Sequence, residues 1–417
     1  DLLFDLAQFV DIELVANYTR AELGFVDLAE FFYNWRGERS GRRDTPGEVG
    51  GGFRNGGLDQ TIQEDVALAR ANLSLRLSDA FRLAFSISPS WRRRDVSQRT
   101  IDGEGNESTI DRIPSEVFEL TTGAALRSSW LGGVVENDLF GKVFLLESEA
   151  EESLRGLSVQ SISNSTLRAG VGDTLIWSPT EALSVRASYE YATRLPEPRE
   201  LLGDGVLVQG NPELDPEVSH NFNLSAGIRG AETPIGQVDL VGWGFWREVD
   251  NLIFEQVGDL RSVFENVDSV RIFGLEGELG LQTWGRRLRL DANVTWEEAR
   301  NTSLEGAFTR FENDRIPNRP YLFGSVRASL GERGLFDRFD RGDVYGSLRY
   351  TQAFFFSFAS AGDRAEKPEV PPQAALDLGV SYSYELADAQ LSGSFAFEMH
   401  NATDEDLFDF IGVPRPG

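Results

Sequence analysis

Carboxylates are the most frequent reactive groups in this chain, and several are neighbours in sequence. The 417 residues include 67 Asp and Glu against 40 Lys and Arg, a formal net charge of −27. Paired carboxylates can serve as general acid and base, or their oxygens can bind a hard cation such as Ca²⁺. Such runs occur at Glu151-Glu152, Glu297-Glu298 and Asp404-Glu405-Asp406.

The other groups that catalysis needs are scarce. Cysteine is absent, and the two histidines are His220 and His400, so this chain offers neither a thiol nucleophile nor a multi-histidine metal centre. Adjacent residues on a strand point to opposite faces, so neighbouring carboxylates need not converge on one substrate. The sequence therefore predicts a protein that is not an enzyme. The negative charge also argues against nucleic acid as a partner.

Two acidic segments contain few compensating cations. Residues 194–217 carry six carboxylates against Arg194 and Arg199, and residues 250–268 carry five against Arg261. One interpretation is a soluble surface that divalent ions bridge to lipopolysaccharide. The other is a Ca²⁺ site that orders these segments, because oxygen-rich acidic loops suit this ion. Asp204, Glu213 and Asp215 are the candidate ligands. No confident metal site follows from the sequence, and no other cofactor is predicted.

Apolar and polar residues alternate along much of the chain. In residues 286–296, Leu288 and Leu290 fall on one face, whereas Arg289 and Asp291 fall on the other. This period of two is that of a strand. The runs are roughly 9–12 residues long, which suits a tilted strand crossing a bilayer, whereas strands of soluble proteins are usually about 5–6 residues long.

The same pattern predicts about sixteen strands without a linker or a change of character between them. No apolar stretch is long enough for a transmembrane helix. The strands are predicted near residues 9–19, 23–36, 66–77, 80–93, 116–130, 134–147, 166–177, 182–193, 218–229, 236–249, 267–282, 286–299, 319–331, 342–356, 374–386 and 389–401.

The predicted connections alternate between short and long. The short turns contain Asp79, Gly132, Pro179 and Asp388, and the long connections cover residues 37–65, 94–115, 194–217, 250–266, 301–318 and 358–373. Outer-membrane barrels have short periplasmic turns and long extracellular loops. The sequence therefore predicts an all-β protein, a transmembrane antiparallel up-and-down β-barrel that occupies residues 1–417 as a single domain.

Five motifs in residues 191–417 resemble those of the TonB-dependent outer-membrane receptors. They occur in the family's order, and residues 1–190 resemble the family only in their strand pattern. The motifs are YATRLPEPREL (191–201), GNPELDPE (210–217), FENV with IFGLEGE (264–267 and 272–278), IPNRP (316–320), and HNATD with GVPRPG (400–404 and 412–417).

The resemblance implies the C-terminal part of the family's β-barrel domain. Family members begin with a TonB box and a plug domain, and their barrel has about 22 strands. Neither the box nor the plug is visible here, and about sixteen strands are predicted, so we expect the plug, the first strands and the last strand to lie outside the chain. The alternative is a complete sixteen-stranded pore, because an even number of strands can close on itself.

By resemblance, the protein is an outer-membrane receptor of a Gram-negative bacterium that imports a scarce small-molecule nutrient. A ferric siderophore is the favoured ligand, and energy would come from the TonB–ExbB–ExbD system acting through the plug. A passive porin-like channel and a structural barrel subunit of a surface complex are the alternatives. The candidate ligand-binding residues in the extracellular loops are Arg194, Arg199, Asp204, Asn211, Glu213 and Asp215.

Two further expectations concern histidine and the lumen. Haem receptors of the family carry a histidine between the 191–201 motif and the Asn-Pro box, and residues 199–209 contain none, so we expect no haem ligation by this segment. The strand period places a set of charged residues toward the lumen, where they form a solvated, salt-bridged wall or contact a plug or solute. These are Arg186, Glu276, Glu278, Arg289, Asp291 and Arg349.

Overall fold

The computed structural model of the protein describes residues 2–7, 9–27, 31–33, 39–42, 58–101, 107–111, 114–154, 158–204, 208–257, 262–283, 285, 287–355, 358, 369–386, 391–410 and 413–414. These residues are mostly strand, with one short helix, α1 (Pro198–Leu202), and two 3₁₀ turns at Leu131–Gly133 and Thr309–Phe311. No helix among them is long and apolar enough to span a bilayer.

Sixteen principal strands form one sheet in which consecutive strands are antiparallel neighbours. This confirms the predicted all-β, up-and-down architecture. In chain order the strands are β1 (Leu2–Ala7), β2 (Val10–Asp27), β3 (Leu58–Arg76), β4 (Phe81–Ile101), β5 (Ser115–Trp130), β6 (Val135–Leu154), β7 (Ser158–Trp177), β8 (Leu183–Arg194), β9 (Glu217–Thr233), β10 (Gly236–Val257), β11 (Ser262–Thr283), β12 (Leu288–Asn301), β13 (Leu322–Arg333), β14 (Arg341–Thr351), β15 (Gln373–Leu386) and β16 (Leu391–Met399).

Eight shorter strands in the described ranges accompany these sixteen: two join the large sheet, and six form three separate two-stranded sheets. Among the described residues, β1 and β16 have one neighbour each, so the sheet has two free edges there. The short strands are Phe31–Tyr33, Arg39–Arg42, Glu107–Asp111, Val208–Gln209, Phe354–Phe355, Glu369–Val370, Phe408–Phe410 and Val413–Pro414. Val208–Gln209 pairs in parallel with the start of β11, which attaches the β8–β9 connection to the sheet.

The predicted break between the first two strands, residues 9–19 and 23–36, is wrong. β2 runs without a break from Val10 to Asp27, and the strand before it is β1. Apolar alternation ends near Tyr18, but backbone pairing with β3 continues. Tyr18 donates a hydrogen bond to Asp65 (2.6 Å), and Arg20 lies 3.7 Å from the same carboxylate. Polar cross-strand contacts therefore extend this pair of strands beyond its apolar part.

Connection lengths follow the predicted alternation only in part. Within the predicted loop 94–115, β4 continues to Ile101 and pairs with Glu107–Asp111, and β6 and β7 remain paired up to Leu154 and Ser158. The turns containing Asp79, Gly132 and Pro179 are short and lie at one edge of the sheet, whereas the turn at Asp388 lies outside the described residues. At the opposite, long-loop edge, most of the predicted loop 250–266 is paired strand, since β10 and β11 remain in register up to Val257 and Ser262. The connections 195–216 and 302–321 are long, as predicted.

The two faces of the sheet differ in polarity. Leu240, Leu275 and Val294 are exposed on one face, which is the arrangement expected of a lipid-facing surface. The intervening residues on the other face are largely polar. We call these the outward and the polar face.

Apolar residues are buried mainly near the long-loop edge rather than along the strands. One group, the loop cluster, comprises Val117, Leu146, Leu201, Val208, Leu214, Ile253 and Phe264. The other, the phenylalanine cluster, comprises Val249, Leu252, Phe254, Val267, Val270, Ile272, Ala299, Phe308, Ile316 and Phe358. Both resemble the core of a small soluble protein, and they fix the long connections on the sheet.

Candidate functional site

The β8–β9 connection, residues 195–216, folds onto the sheet and is fixed there by α1. Pro198 opens the helix, where its fixed φ is suited to a first turn. The Glu197 backbone N–H donates to the Glu200 carboxylate (2.6 Å), which forms one half of a capping box. Leu201 and Leu214 are almost fully buried in the loop cluster. These contacts hold the described residues of the connection, 195–204 and 208–216, on the sheet.

An ion network joins this connection to the two strands that flank it. Arg194, at the end of β8, donates to both carboxylate oxygens of Glu200, each at 3.0 Å. It also donates to Glu217 at the start of β9 (3.0 Å), and that carboxylate accepts the Ile253 backbone N–H (2.8 Å). Glu200 is buried and Glu217 is largely so, which makes these charge-assisted bonds stronger than exposed pairs.

A second arginine, distant in sequence, holds the same connection from the opposite side. Arg94 of β4 donates to the carbonyl oxygens of Leu202 (3.3 Å) and Gly203 (2.8 Å), which follow the helix. Its guanidinium is paired with Glu64 of β3 at 2.8 Å. Neither Arg94 nor Glu64 is among the predicted site residues. The run Arg92-Arg93-Arg94 in an acidic chain is the sequence signal that could have indicated Arg94.

Residues of the Asn-Pro box are likewise engaged in contacts within the protein. The Asn211 side chain donates to the Phe264 carbonyl (2.9 Å) and accepts the Glu213 backbone N–H (3.0 Å). The Asp215 backbone N–H donates to Asn266 (3.0 Å), whose amide donates in return to the Asp215 carbonyl (3.0 Å). The box thus fastens the connection to β11.

Close backbone packing locks the two ends of this loop. Gly203 has a φ of +71°, which favours glycine. A Cβ on Gly210 would overlap the backbone of Leu201 and Leu202. Asp204 completes the turn, since its carboxylate accepts the Val208 backbone N–H (2.8 Å).

The predicted ligand-binding residues therefore lie together in one ordered loop. Arg194, Asp204 and Asn211 make contacts that stabilise the loop, Glu213 and Asp215 shape its turns, and Arg199 is exposed on α1. Binding of a ligand by these residues stays a prediction. In the described part of the chain, no group of three or more His, Asp or Glu side chains is arranged to hold a metal ion.

The predicted lumen residues lie on the polar face. Arg289 pairs with Asp291 along β12 (2.7 Å), and Arg349 pairs with Asp377 across β14 and β15 (3.3 Å). Each of the other three predicted lumen residues stands opposite a polar residue on one neighbouring strand and an apolar residue on the other. The partners are Ser225 and Ile176 for Arg186, Thr295 and Trp243 for Glu276, and Asn293 and Val241 for Glu278. Ion pairs along this face agree with a salt-bridged wall.

A cavity of about 460 Å³ opens on this face beside the IPNRP motif. Arg319 and Arg349 line it and remain substantially exposed, although each has a carboxylate nearby, Glu297 at 3.9 Å and Asp377 at 3.3 Å. The side-chain oxygen of Asn318 is buried at this cavity without a hydrogen-bond donor among the described residues. A buried acceptor left unpaired costs free energy. The two exposed guanidinium groups are the cavity's cationic groups.

The two histidines lie outside this cavity. His220 belongs to the outward face, where its Nδ1 lies 3.0 Å from the Tyr189 hydroxyl and its ring contacts that of Tyr191. His400 follows β16, with its ring nitrogens 3.5 Å from Glu398 and 3.8 Å from Asp377.

Solved structures with the same fold are described as receptors and transporters. The copper transporter OprC superposes with a TM-score of 0.70 at 12% identity, over 99% of this chain and 62% of that one. The siderophore receptor PiuA from Acinetobacter baumannii gives 0.66 at 15% identity, over 98% and 60%. The ferric yersiniabactin uptake receptor FyuA from Yersinia pestis gives 0.64 at 11% identity, over 96% and 54%. The chain thus spans about 60% of these proteins' length.

Sequence comparison identifies the family directly. No curated protein matches the chain. The family model described as TonB dependent receptor-like, beta-barrel, matches residues 11–401, which is most of the sequence. Barrels of this family reside in the outer membrane of Gram-negative bacteria, so the predicted localisation is confirmed. The chain belongs to the TonB-dependent receptors, within the β-barrel of that family.

Proposed function

We propose that this barrel belongs to a receptor that imports a ferric siderophore. The observation that carries the proposal is the cavity on the polar face, where Arg319 and Arg349 flank the unpaired oxygen of Asn318. Ferric chelates present anionic oxygen ligands and hydroxyl or amide donors at their periphery. The guanidinium groups of Arg319 and Arg349 complement the anionic oxygens.

Copper is the alternative cargo that the similar structures raise, because one of them is described as a copper transporter. Copper(I) favours soft thiolate and thioether ligands, and copper(II) favours imidazole. This chain has no cysteine, one methionine (Met399) and two histidines, of which His220 faces outward beside Tyr189. Its side chains therefore favour an oxygen-rich chelate over a bare copper ion.

Transport would be active. In this proposal, a plug outside the present chain closes the pore, and the TonB–ExbB–ExbD system delivers the proton-motive force to it. The polar wall formed by ion pairs such as Arg289–Asp291 would remain hydrated around the plug. The protein performs no covalent chemistry on its cargo, so binding and release constitute the whole mechanism.

The test is uptake of ⁵⁵Fe by the native host. A strain lacking the gene is complemented with the full-length wild type, with Arg319→Gln/Arg349→Gln, or with Arg186→Gln, whose guanidinium lies on the same face outside the cavity. Catecholate, hydroxamate and carboxylate chelates serve as probes. Loss of two charge-assisted contacts predicts uptake lowered by about tenfold or more in the double variant, with the Arg186 control unchanged.

Three results would contradict the proposal. Uptake that persists after a protonophore, together with conductance in planar bilayers, would show a passive porin-like channel. Normal growth on every chelate, with a stable stoichiometric protein partner, would show a structural subunit of a surface complex. Equal uptake by the double variant would remove the cavity from the binding site.

Calcium binding in the acidic loops is a separate proposal that rests on the charge of residues 194–217. Calorimetry of the purified protein with Ca²⁺ tests it. Saturable binding that disappears when Asp204, Glu213 and Asp215 are converted to Asn and Gln would support it, and absence of saturable binding would end it.

A further inference from the structure

The β8–β9 connection lies on the polar face of the sheet, which is the face that lines the lumen. Leu139 and Val143 are exposed on the outward face of β6, so Leu146 of the same strand points to the polar face. The register places Val117 of β5 on that face too, since it stands opposite Ser148 of β6. Leu146 and Val117 are buried in the loop cluster together with leucines of the connection. The connection therefore folds inward, over the lumen.

The loop cluster joins strands that are far apart along this wall. Ile253 of β10 and Phe264 of β11 belong to it together with Val117 and Leu146. Four strand intervals separate β6 from β10, about 19 Å along a sheet, because neighbouring strands lie about 4.8 Å apart. Side chains do not contact one another over that distance, so residues of the connection bridge it. These are Leu201, Val208 and Leu214. The connection thus crosses the polar face instead of standing above its own two strands.

Polar contacts hold the connection at both margins of this crossing. On the β4 side, Arg94 donates to the carbonyl oxygens of Leu202 (3.3 Å) and Gly203 (2.8 Å). On the β11 side, Val208–Gln209 pairs in parallel with residues 262–263. Lifting the connection would break these contacts and expose leucine side chains that are now almost fully buried. The seated position is therefore strongly favoured.

The cavity proposed to bind the cargo lies beyond the last strand that the connection contacts. Arg319 precedes β13, Arg349 belongs to β14, and residues of β12 and β15 complete the lining. No described residue of the connection lines this cavity. A cargo molecule can therefore occupy the polar face of β12–β15 without displacing the connection from β4–β11.

We propose that the β8–β9 connection is a fixed partition of the lumen mouth, and that the cargo enters along the polar face of β12–β15 while the connection stays seated. The inference rests on the proposed function for the identity of the cargo, and it adds the route of entry. A movable lid would instead lift from β4–β11 during each transport event and expose the buried residues of the loop cluster.

Cysteine accessibility in the full-length receptor on intact cells tests whether the connection stays seated. Ser148→Cys places a thiol beside Val117 beneath the connection and loses no hydrogen bond, because the Ser148 hydroxyl has no partner among the described residues. A membrane-impermeant maleimide should not label it, either in resting cells or during uptake of a ferric chelate. Glu213→Cys, on the exposed surface of the connection, is the matched control and should be labelled in both states.

Two labelling results would overturn the partition. Labelling of Ser148→Cys in resting cells would show that the connection does not cover this face. Labelling only during uptake would show that the connection is a lid. Labelling of the denatured protein verifies that the thiol is reactive, and heat-modifiable migration on gels verifies that each variant is folded.

A disulfide tests the other margin through transport. Val208 and Ser262 are register partners on neighbouring strands, whose spacing of about 4.8 Å lies within the range of a disulfide. Oxidised Val208→Cys/Ser262→Cys should take up ⁵⁵Fe chelate at the rate of its reduced form, with each single variant as a control. Uptake that is lost on oxidation and restored by a reductant would overturn the partition. Failure of the pair to cross-link would contradict the pairing on which the crossing depends.

Failure of the proposed function gives a different result. Wild-type cells that take up none of the chelates would refute iron import. The seating of the connection would then be decided by the labelling of Ser148→Cys in resting cells, which requires no cargo.

Discussion

Arg194 and Glu200 form a bidentate ion pair in which Nη1 and Nη2 of the guanidinium each donate to one carboxylate oxygen at 3.0 Å. The pair ties the end of β8 to the helix that follows it, across six residues. In Arg194→Met, the largely buried carboxylates of Glu200 and Glu217 should lose the cation with which they pair. We expect the free energy of local unfolding of the loop 195–216 to fall by about 1–2 kcal/mol. The effect should lie toward the low end of this range because Arg194 is partly exposed.

Hydrogen exchange of the amides in residues 195–216 measures this loss. Arg199→Met is the control, since Arg199 lies in the same helix with its side chain exposed. Faster exchange is expected in the first variant only. Equal protection in both variants would show that the ion pair does not stabilise the loop.

Gly210→Ala should disturb the same loop through sterics instead of charge. The added Cβ overlaps the backbone of Leu201 and Leu202, and such overpacking costs about 1–3 kcal/mol. Protease digestion of the folded protein should cleave the loop faster than in the wild type. In Gly24→Ala, the added Cβ meets nothing within 4 Å, so its digestion pattern should not change.

The sidedness of the barrel can be tested with cysteines, because the chain contains none. Glu213→Cys places a thiol in a long loop, and Asp79→Cys places one in a short turn. A membrane-impermeant maleimide should label the first on intact cells and the second only after the outer membrane is permeabilised. The reverse pattern would invert the topology.

Haem should not be ligated through His220. Its Nδ1 lies 3.0 Å from the Tyr189 hydroxyl on the outward face, away from the polar face of the sheet. Addition of haemin should therefore give a Soret spectrum that is the same for the wild type and His220→Ala. A Soret shift that this substitution abolishes would refute the prediction.

Asp340 should make the β13–β14 turn sensitive to acid. Burial of its carboxylate opposes ionisation, but hydrogen bonds from backbone N–H groups of residues 335–337 and from the Tyr382 hydroxyl outweigh it and lower the pKa. A lowered folded pKa stabilises the turn above the ordinary aspartate pKa of about 3.9, and this stabilisation is lost as pH falls below that value. Exchange of these amides, compared between pH 6 and pH 3, should accelerate in the wild type relative to the rest of the sheet. Asp340→Asn should remove this extra dependence.

Much of the fold follows from the sequence because lipid contact imposes alternation on every strand. The alternation of apolar and polar residues alone predicts that Leu288 and Arg289 lie on opposite faces of the sheet, and the strand register agrees. Alternation reports contact with lipid, however, and not backbone pairing. The extensions of β10 and β11 beyond the membrane, up to Val257 and Ser262, therefore look like loop in the sequence although they are paired.

The site was predictable only in part. The motifs placed Arg194 and Asn211 in one loop, since both belong to short local patterns. The contact of Arg94 with Gly203 joins residues 109 apart, and nothing local in the sequence specifies it. The cavity beside Asn318 likewise depends on Arg349 from a different strand.

The phenylalanine cluster has a consequence for biogenesis. Phe254 and Phe358 pack ring against ring at 5.3 Å although about a hundred residues separate them, and both lie at the long-loop edge. If this edge is extracellular, each loop must be translocated unfolded, and the rings can meet only after the intervening hairpins have crossed. The Phe254–Phe358 contact joins residues that are far apart in the chain, so it requires the intervening hairpins to be in place, unlike the contacts of the same cluster that lie within the β10–β11 hairpin.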